Sequence, residues 1–208
     1  MSISLIIIAI TVIVSIMAFQ RQDLFYRLDF APYAVDQQKE WHRFLSHSLL
    51  HADWVHLLVN MFVLFIFGDV TQAYFEAYAG ARGIFYFILL YVGGVAFAVL
   101  PTFRKHKQNP NYHSVGASGA VSSVLFSSVI FQPGTELCLY GLPFLCFPGI
   151  IWAIAYLLYS YYQGKRGGDY INHDAHFWGA VYGVAFTILA VPKSIPAFLD
   201  QILILLPF

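Results

Sequence analysis

The sequence predicts an all-α, polytopic membrane protein, a single domain over residues 1–208 built as a bundle of six transmembrane helices. Two observations predict this class. Of the 208 residues, 59% are hydrophobic and only 11% are charged, whereas soluble domains carry about 25% charged residues. The few charges also leave long uncharged windows, and a helix needs about 20 mostly apolar residues to cross a bilayer. This chain cannot cover a globule with charge, so we expect it to lie in the lipid bilayer.

The uncharged windows give the positions of the predicted spans. We expect them at about 2–19, 55–75, 83–103, 115–131, 149–163 and 175–192. The first window is too weakly basic at its start to be a signal peptide. Two prolines interrupt the run before the fifth span, so its helix is expected to begin near Gly149. The aromatic-rich connection 20–54 predicts a structured hairpin at the membrane surface, and the short tail 194–208 is expected to lie at the interface.

Charge and metal-ligating residues exclude some classes of function. Lys plus Arg and Asp plus Glu both number 11, which indicates no nucleic-acid partner. Four histidines lie close together in the sequence, at His42, His47, His51 and His56. Their spacing does not keep them on one helix face, and no HExxH motif is present, so we expect no metal site and no cofactor. Cys138 and Cys146 could pair only in an oxidising compartment, and two buried thiols are the expected state.

Two spans begin with a polar residue among small ones. Ser118 opens the fourth span within "GASGA", and His176 opens the sixth. Gly179 and Gly183 follow His176 at i+3 and i+7, on the same helix face. Small residues let two helices approach closely, so these spans could bring a hydroxyl within reach of an imidazole. A serine hydroxyl is a weak nucleophile that needs an adjacent base, and the pair therefore predicts a catalytic Ser–His dyad.

The second span carries candidate donors for an oxyanion. Polar residues inside a membrane span are costly and are functional candidates. His56 and Asn60 are four residues apart and share one helix face. An acyl-transfer site needs hydrogen-bond donors for the developing oxyanion, and these side chains could supply them together with the backbone N–H of Ser118. Asp174, the acid nearest to His176, is expected to cap its helix, so we expect a dyad without a third member.

Three motifs in this order resemble the rhomboid family of intramembrane serine proteases. They are "HLLVN" at 56–60, "GASG" at 116–119 and "AHFWGAVYG" at 175–183. The resemblance implies that Ser118 is the nucleophile and His176 the base, and that His56 and Asn60 help to form the oxyanion hole. It further implies substrates that are transmembrane segments of other membrane proteins, a multi-pass location in the cell (inner) membrane, and a fifth span that acts as a moving gate.

Two positions depart from the family pattern. The family often has an aromatic residue four positions after the serine, stacked on the catalytic histidine, but Ser122 stands there in this chain. Either His176 is held less firmly here, or another aromatic residue such as Phe177 or Trp178 compensates. The Trp-Arg pair of the family's first loop corresponds to Trp41 and Arg43, which are separated here by one residue.

Other interpretations stay open at this level. Ser118 could be a simple helix cap, and His56 and Asn60 could only join helices. The chain could be an inactive rhomboid-like protein that binds membrane clients, or a small transporter. Nine of the eleven Lys and Arg residues lie on the side of Ser118, which by the positive-inside rule predicts a cytoplasmic active face, whereas the resemblance implies an outside face. The sequence does not predict the oligomeric state.

Overall fold

The computed structural model describes residues 2–139, 142–166 and 172–205, and these form a helical bundle with one short β-hairpin. The described helices are α1 (Ile3–Gln20), α2 (Gln22–Leu28), α3 (Pro32–Gln38), α4 (Arg43–Ser46), α5 (Trp54–Ala79), α6 (Arg82–Ala98), α7 (Leu100–His106), α8 (Ser118–Phe131), α9 (Gly149–Arg166), α10 (His173–Ala190) and α11 (Ser194–Leu205). The all-α membrane class predicted from composition is confirmed.

Among the described residues, three helical segments are long and apolar enough to cross a membrane. They are α1, α5 and the stretch Arg82–His106 that joins α6 and α7. The pair α10 and α11 passes the same test together, but the two helices are bent by 115° at their junction. The count of six spans therefore stays a prediction.

The helix α8 is short because it lies inside the bundle. Its 14 residues measure about 21 Å at 1.5 Å per residue, less than the bilayer core of about 30 Å. All its residues after Ser118 except Leu125 are buried, and it packs against α5, α6 and α10. A helix enclosed by other helices need not match the hydrophobic thickness of the lipid, so a short segment is sufficient here.

The helices α8 and α10 approach so closely that their backbones touch. A methyl group added at Gly179 would lie 2.1 Å from the carbonyl oxygen of Gly119, and one at Gly183 would lie 2.3 Å from that of Ser123. The Ser123 hydroxyl sits in this interface and bonds to the carbonyl oxygens of Gly119 (3.0 Å) and Gly179 (2.8 Å). The face of α10 that carries Gly179 and Gly183 is therefore in contact with α8.

The cysteines differ from the expectation of two buried thiols. Strands β1 (Glu136–Leu139) and β2 (Leu142–Pro148) pair antiparallel, and Cys138 lies opposite Cys146. The two residues form a disulfide, with Cα atoms 4.0 Å apart. The uncharged run before α9 is thus a hairpin, and the pairing follows from its register. This hairpin joins α8 to α9 at the end of α8 opposite Ser118.

Two carboxylates of the helical segments have structural partners. Asp69, in the middle of α5, accepts hydrogen bonds from the hydroxyls of Ser2 and Ser4 at the start of α1. Asp174 does not cap α10 as expected. Asn172 is the cap, because its side-chain oxygen accepts the backbone N–H of Ala175 at 3.1 Å. Asp174 lies in the first turn, 3.6 Å from Lys105.

Candidate active site

Ser118 is the first helical residue of α8. The preceding Ala117 is at the cap position, and no side-chain hydrogen bond caps this helix. The interpretation of Ser118 as a helix cap is therefore not what the structure shows. Its side chain is partly exposed, although its neighbours Ala117 and Gly119 are buried. Ser118 therefore lies at the boundary between the buried interior of the bundle and its more exposed part.

Gly116 has a conformation and surroundings that require glycine. Its φ of +127° is one that other residues rarely adopt. A methyl group added there would lie 2.9 Å from Nε2 of His56 and 3.7 Å from Oγ of Ser118. The His56 ring and the Ser118 hydroxyl thus face the same point beside the backbone of this loop, and only a glycine leaves room for both.

The start of α10 meets the start of α8. A methyl group added at Gly119 would lie 3.4 Å from the carbonyl oxygen of Ala175. The residues next to these two in the sequence, Ser118 and His176, are both at this junction. A cavity of about 10 Å³ opens there, lined by Ser118, Gly119 and Ala175 among others. This volume is about enough for one water molecule.

The ring that packs parallel to His176 comes from α9. The Tyr156 and His176 ring centroids are 6.0 Å apart, with an interplanar angle of 21°. The expectation that Phe177 or Trp178 fills this place is wrong. The Phe177 ring packs against Tyr161 at 5.8 Å and against Trp178 at 5.5 Å. Tyr156 was missed because it is distant in sequence from both motifs.

His56 and Asn60 are one turn apart on α5, and the His56 ring lies beside Gly116. The Asn60 side chain is buried and donates one amide N–H to the backbone oxygen of His56 at 2.8 Å. An amide has two N–H donors, so this bond orients the group and leaves the second donor. The His56 ring contacts His51 edge to face at 4.9 Å, and it also faces Gly116. The structure thus brings His56 close to Ser118.

His51 packs against the His56 ring and is itself held by a neighbouring helix. It is fully buried, and its Nδ1 lies 3.0 Å from the hydroxyl of Ser15 on α1. Burial, with a smaller contribution from His56, lowers the pKa of His51 to about 3. The imidazole is therefore neutral at neutral pH. In the described part of the chain, the histidines do not form a cluster of three or more metal-ligating side chains.

A buried ion-pair cluster fixes the connection 20–54 between α1 and α5, which folds mainly as the short helices α2, α3 and α4 and is called the surface hairpin below. The Arg43 guanidinium contacts Asp29 at 2.5 Å and Glu40 at 2.6 Å. The second carboxylate oxygen of Asp29 lies 2.6 Å from Nδ1 of His113, in the loop before Ser118. Burial raises the pKa of Asp29, while His113 and Arg43 act in the opposite direction. Asp29 and His113 were not identified from the sequence, because their partners lie far away in the chain.

Backbone hydrogen bonds connect the loop before Ser118 to the surface hairpin. Phe30 and Ser114 form an isolated antiparallel bridge. The Gly116 N–H donates to the carbonyl oxygen of His47 at 3.0 Å. His47 in turn contacts the Arg43 carbonyl oxygen through Nδ1 at 2.9 Å. The surface hairpin therefore fixes the position of the turn that precedes Ser118. Trp41, the other residue of the pair with Arg43, is not buried in this cluster and is 55% exposed.

Comparison with known proteins agrees with this architecture. A family model described as the Rhomboid domain matches residues 38–193, more than half of the chain. The chain is similar to Rhomboid-like protein 11, chloroplastic, of Arabidopsis thaliana, with 30% identity over 77% of this chain and 56% of that protein. It is similar to Rhomboid protease GlpG of Haemophilus influenzae, with 28% identity over 78% of this chain and 76% of that protein.

A third relative is Presenilin-associated rhomboid-like protein A, mitochondrial, of Danio rerio, with 28% identity over 66% of this chain and 34% of that protein. The chain thus spans about half the length of the plant relative and a third of the fish relative. The family match begins in the surface hairpin and runs to the end of α10, so it contains all three motifs and the helices that carry them. The chain is an integral membrane protein and belongs to the rhomboid family.

Proposed function

We propose that the chain is an intramembrane serine endopeptidase that cleaves transmembrane segments of other membrane proteins. Ser118 is the nucleophile and His176 the base of a Ser–His dyad. The observation that supports this most is the backbone contact of α8 and α10 at Gly119 and Gly179, which are one residue after Ser118 and three residues after His176. Membership of the family supports it too, since one relative is named a rhomboid protease.

The first half of the reaction forms an acyl-enzyme. The Ser118 Oγ attacks the scissile carbonyl carbon while His176 takes the hydroxyl proton. The carbonyl oxygen becomes an oxyanion, and His56, Asn60 and the backbone N–H of Ser118 donate hydrogen bonds to it. When the C–N bond breaks, His176 gives its proton to the leaving amine. The new N-terminus departs and the rest of the substrate stays as an ester on Ser118.

The second half consumes one water molecule. His176 removes a proton from the water, whose oxygen attacks the ester carbonyl carbon. The same donors hold the second oxyanion. The C–O bond to Ser118 then breaks, His176 returns a proton to the serine oxygen, and a carboxylic acid product leaves. The small cavity lined by Ser118 supports this step because it has room for about one water molecule.

The proposed substrates are helices that unfold locally at the site. A peptide bond inside a helix has its carbonyl in a hydrogen bond, so helix-breaking residues near the cleavage point favour attack. The proposed location is the cell (inner) membrane, with the Ser118 face outside, as the family resemblance implies. The nine basic residues on that face and the disulfide on the opposite face favour the reverse orientation, so this point needs its own experiment.

The test is cleavage of a model transmembrane substrate in proteoliposomes. We expect Ser118→Ala and His176→Ala to lose cleavage while they keep the melting temperature of the wild type. Ser128→Ala is the matched control, because Ser128 lies near the other end of α8 and its hydroxyl donates within its own helix, to the Leu125 carbonyl oxygen at 2.7 Å. Cleavage by Ser118→Ala at the wild-type rate would exclude this nucleophile.

A further inference from the structure

One aromatic residue of α9 packs on the proposed base. Tyr156 stacks on the His176 ring with a centroid distance of 6.0 Å and an interplanar angle of 21°. His176 is partly exposed at the first turn of α10, and the His173 ring lies edge to face against it at 5.7 Å. The parallel Tyr156 ring restricts rotation of the imidazole about its side-chain bonds, because aromatic pairs favour offset-stacked arrangements.

The α8 helix holds Tyr156 at two places. The Tyr156 hydroxyl lies 3.0 Å from the hydroxyl of Ser122, and its ring lies 6.0 Å from that of Phe126. Ser122 and Phe126 are one turn apart on α8, the helix that begins with Ser118. Tyr156 therefore connects the helix of the proposed nucleophile with the imidazole of the proposed base, although it belongs to a third helix.

We propose that Tyr156 is a positioning residue for His176. This inference rests on the proposed function of the dyad. A base must keep its nitrogen aligned with the hydroxyl that it deprotonates, and a misplacement of about 1 Å can cost about 100-fold in rate. Loss of the ring should therefore reduce the catalytic step more than it reduces substrate binding.

The chain offers a matched control on the same helix. Tyr159, three residues further along α9, packs its ring edge to face against His173 at 5.5 Å. It thus makes a similar tyrosine–histidine contact between the same two helices. Its partner His173 is not the proposed base, although the His173 ring lies edge to face against His176 at 5.7 Å. A loss caused by weaker packing of α9 on α10 should appear in a Tyr159 variant as well. A loss caused by freeing the base should not.

The experiment compares Tyr156→Leu, Tyr156→Phe and Tyr159→Leu in proteoliposomes. It measures kcat and KM for a model transmembrane substrate, normalised to folded protein from thermal melting. We expect Tyr156→Leu to lower kcat by about 10- to 100-fold, with KM changed by less than about twofold. Tyr156→Phe keeps the ring and should stay within about threefold of the wild type, and Tyr159→Leu should match the wild type.

Three results would overturn the proposal. They are a wild-type kcat for Tyr156→Leu, an equal loss for Tyr159→Leu, and a loss for Tyr156→Phe as large as that for Tyr156→Leu. If Tyr156→Leu does not fold, Tyr156→Met gives the same comparison with an unbranched side chain. Reaction with a fluorophosphonate distinguishes failure of the proposed dyad from failure of the role of Tyr156. If the wild type does not react, the dyad itself fails, whereas equal reaction rates of wild type and Tyr156→Leu refute only the role of Tyr156.

Discussion

The substitution Gly179→Ala should reduce activity, because the added methyl group would push α10 away from α8 close to the proposed dyad. A Cβ atom at this position would lie 2.1 Å from the backbone oxygen of Gly119, whereas real Cβ contacts are essentially never shorter than 3.0 Å. The two helices must therefore separate by about 0.9 Å at this point. Gly119 follows Ser118 directly, and Gly179 lies three residues after His176, so this displacement acts on the proposed dyad.

The expected loss follows from that displacement. Overpacking of a tight interior typically costs about 1–3 kcal/mol of stability, so Gly179→Ala should still fold. A shift of nearly 1 Å between nucleophile and base should reduce turnover by about 100-fold. We therefore expect activity to fall far more than the folded fraction does.

The assay measures turnover of a model transmembrane substrate per folded molecule, with thermal melting in the same detergent. The control is Gly134→Ala, because the atoms nearest to a methyl group there belong to the Leu205 side chain at 3.5 Å or more, an ordinary contact distance. Wild-type turnover and melting temperature in Gly179→Ala would refute the reasoning, since the two helices could not then be in contact at this point.

Three further predictions concern the donors, the surface hairpin and the orientation. Asn60→Ala should lower turnover per folded molecule by about 10- to 100-fold, and the double variant with His56→Ala should be much worse, because the donors are partly redundant; full turnover in a folded double variant would leave these residues a structural role only. Burial lowers the pKa of His47 to about 4, so the unfolded chain binds a proton at higher pH than the folded one, and about 3 kcal/mol of stability, present above pH 6.5, should be lost as the pH falls to 4. His47→Asn should show a smaller acid-dependent loss in melts at a series of pH values, and an unchanged pH dependence would contradict this account. A protease-sensitive tag inserted near Gln38 should be cut in intact spheroplasts if the Ser118 face is outside, and protection of the tag would place that face in the cytoplasm.

The membrane class could be predicted from the sequence because it depends on composition and on long uncharged windows. Imidazole and amide side chains within such windows are few, which is why His176, His56 and Asn60 could be named as candidates. Ser118 was distinguished from the other serines of its window by its place at the start of the span, among small residues. The contact of α8 and α10 was predictable for a related reason. Gly179 and Gly183 follow His176 at i+3 and i+7, and this spacing defines a helix face without any knowledge of the partner helix.

The remaining features depend on pairs that are distant in the chain. Tyr156 stacks on His176 from another helix, and Asp29 bonds to His113 across 84 positions. A local pattern carries no signal for such contacts. The cap of α10 was misassigned to Asp174 because Asn172 and Asp174 are both good cap residues, and only the backbone geometry distinguishes them. The disulfide could not be predicted without the register of the β-hairpin, because the hairpin lies within an uncharged run that shows no strand pattern.

The most direct test of the central claim is the site at which a fluorophosphonate reacts. The purified wild-type protein, in detergent or in liposomes, is incubated with the probe, and the modified residue is located by mass spectrometry of its peptides. The account predicts one phosphonylated residue, Ser118, with labelling lost in Ser118→Ala and greatly slowed in His176→Ala, while Ser128→Ala labels like the wild type. Labelling of another residue, or no labelling of a folded protein that cleaves its substrate, would contradict the proposed dyad.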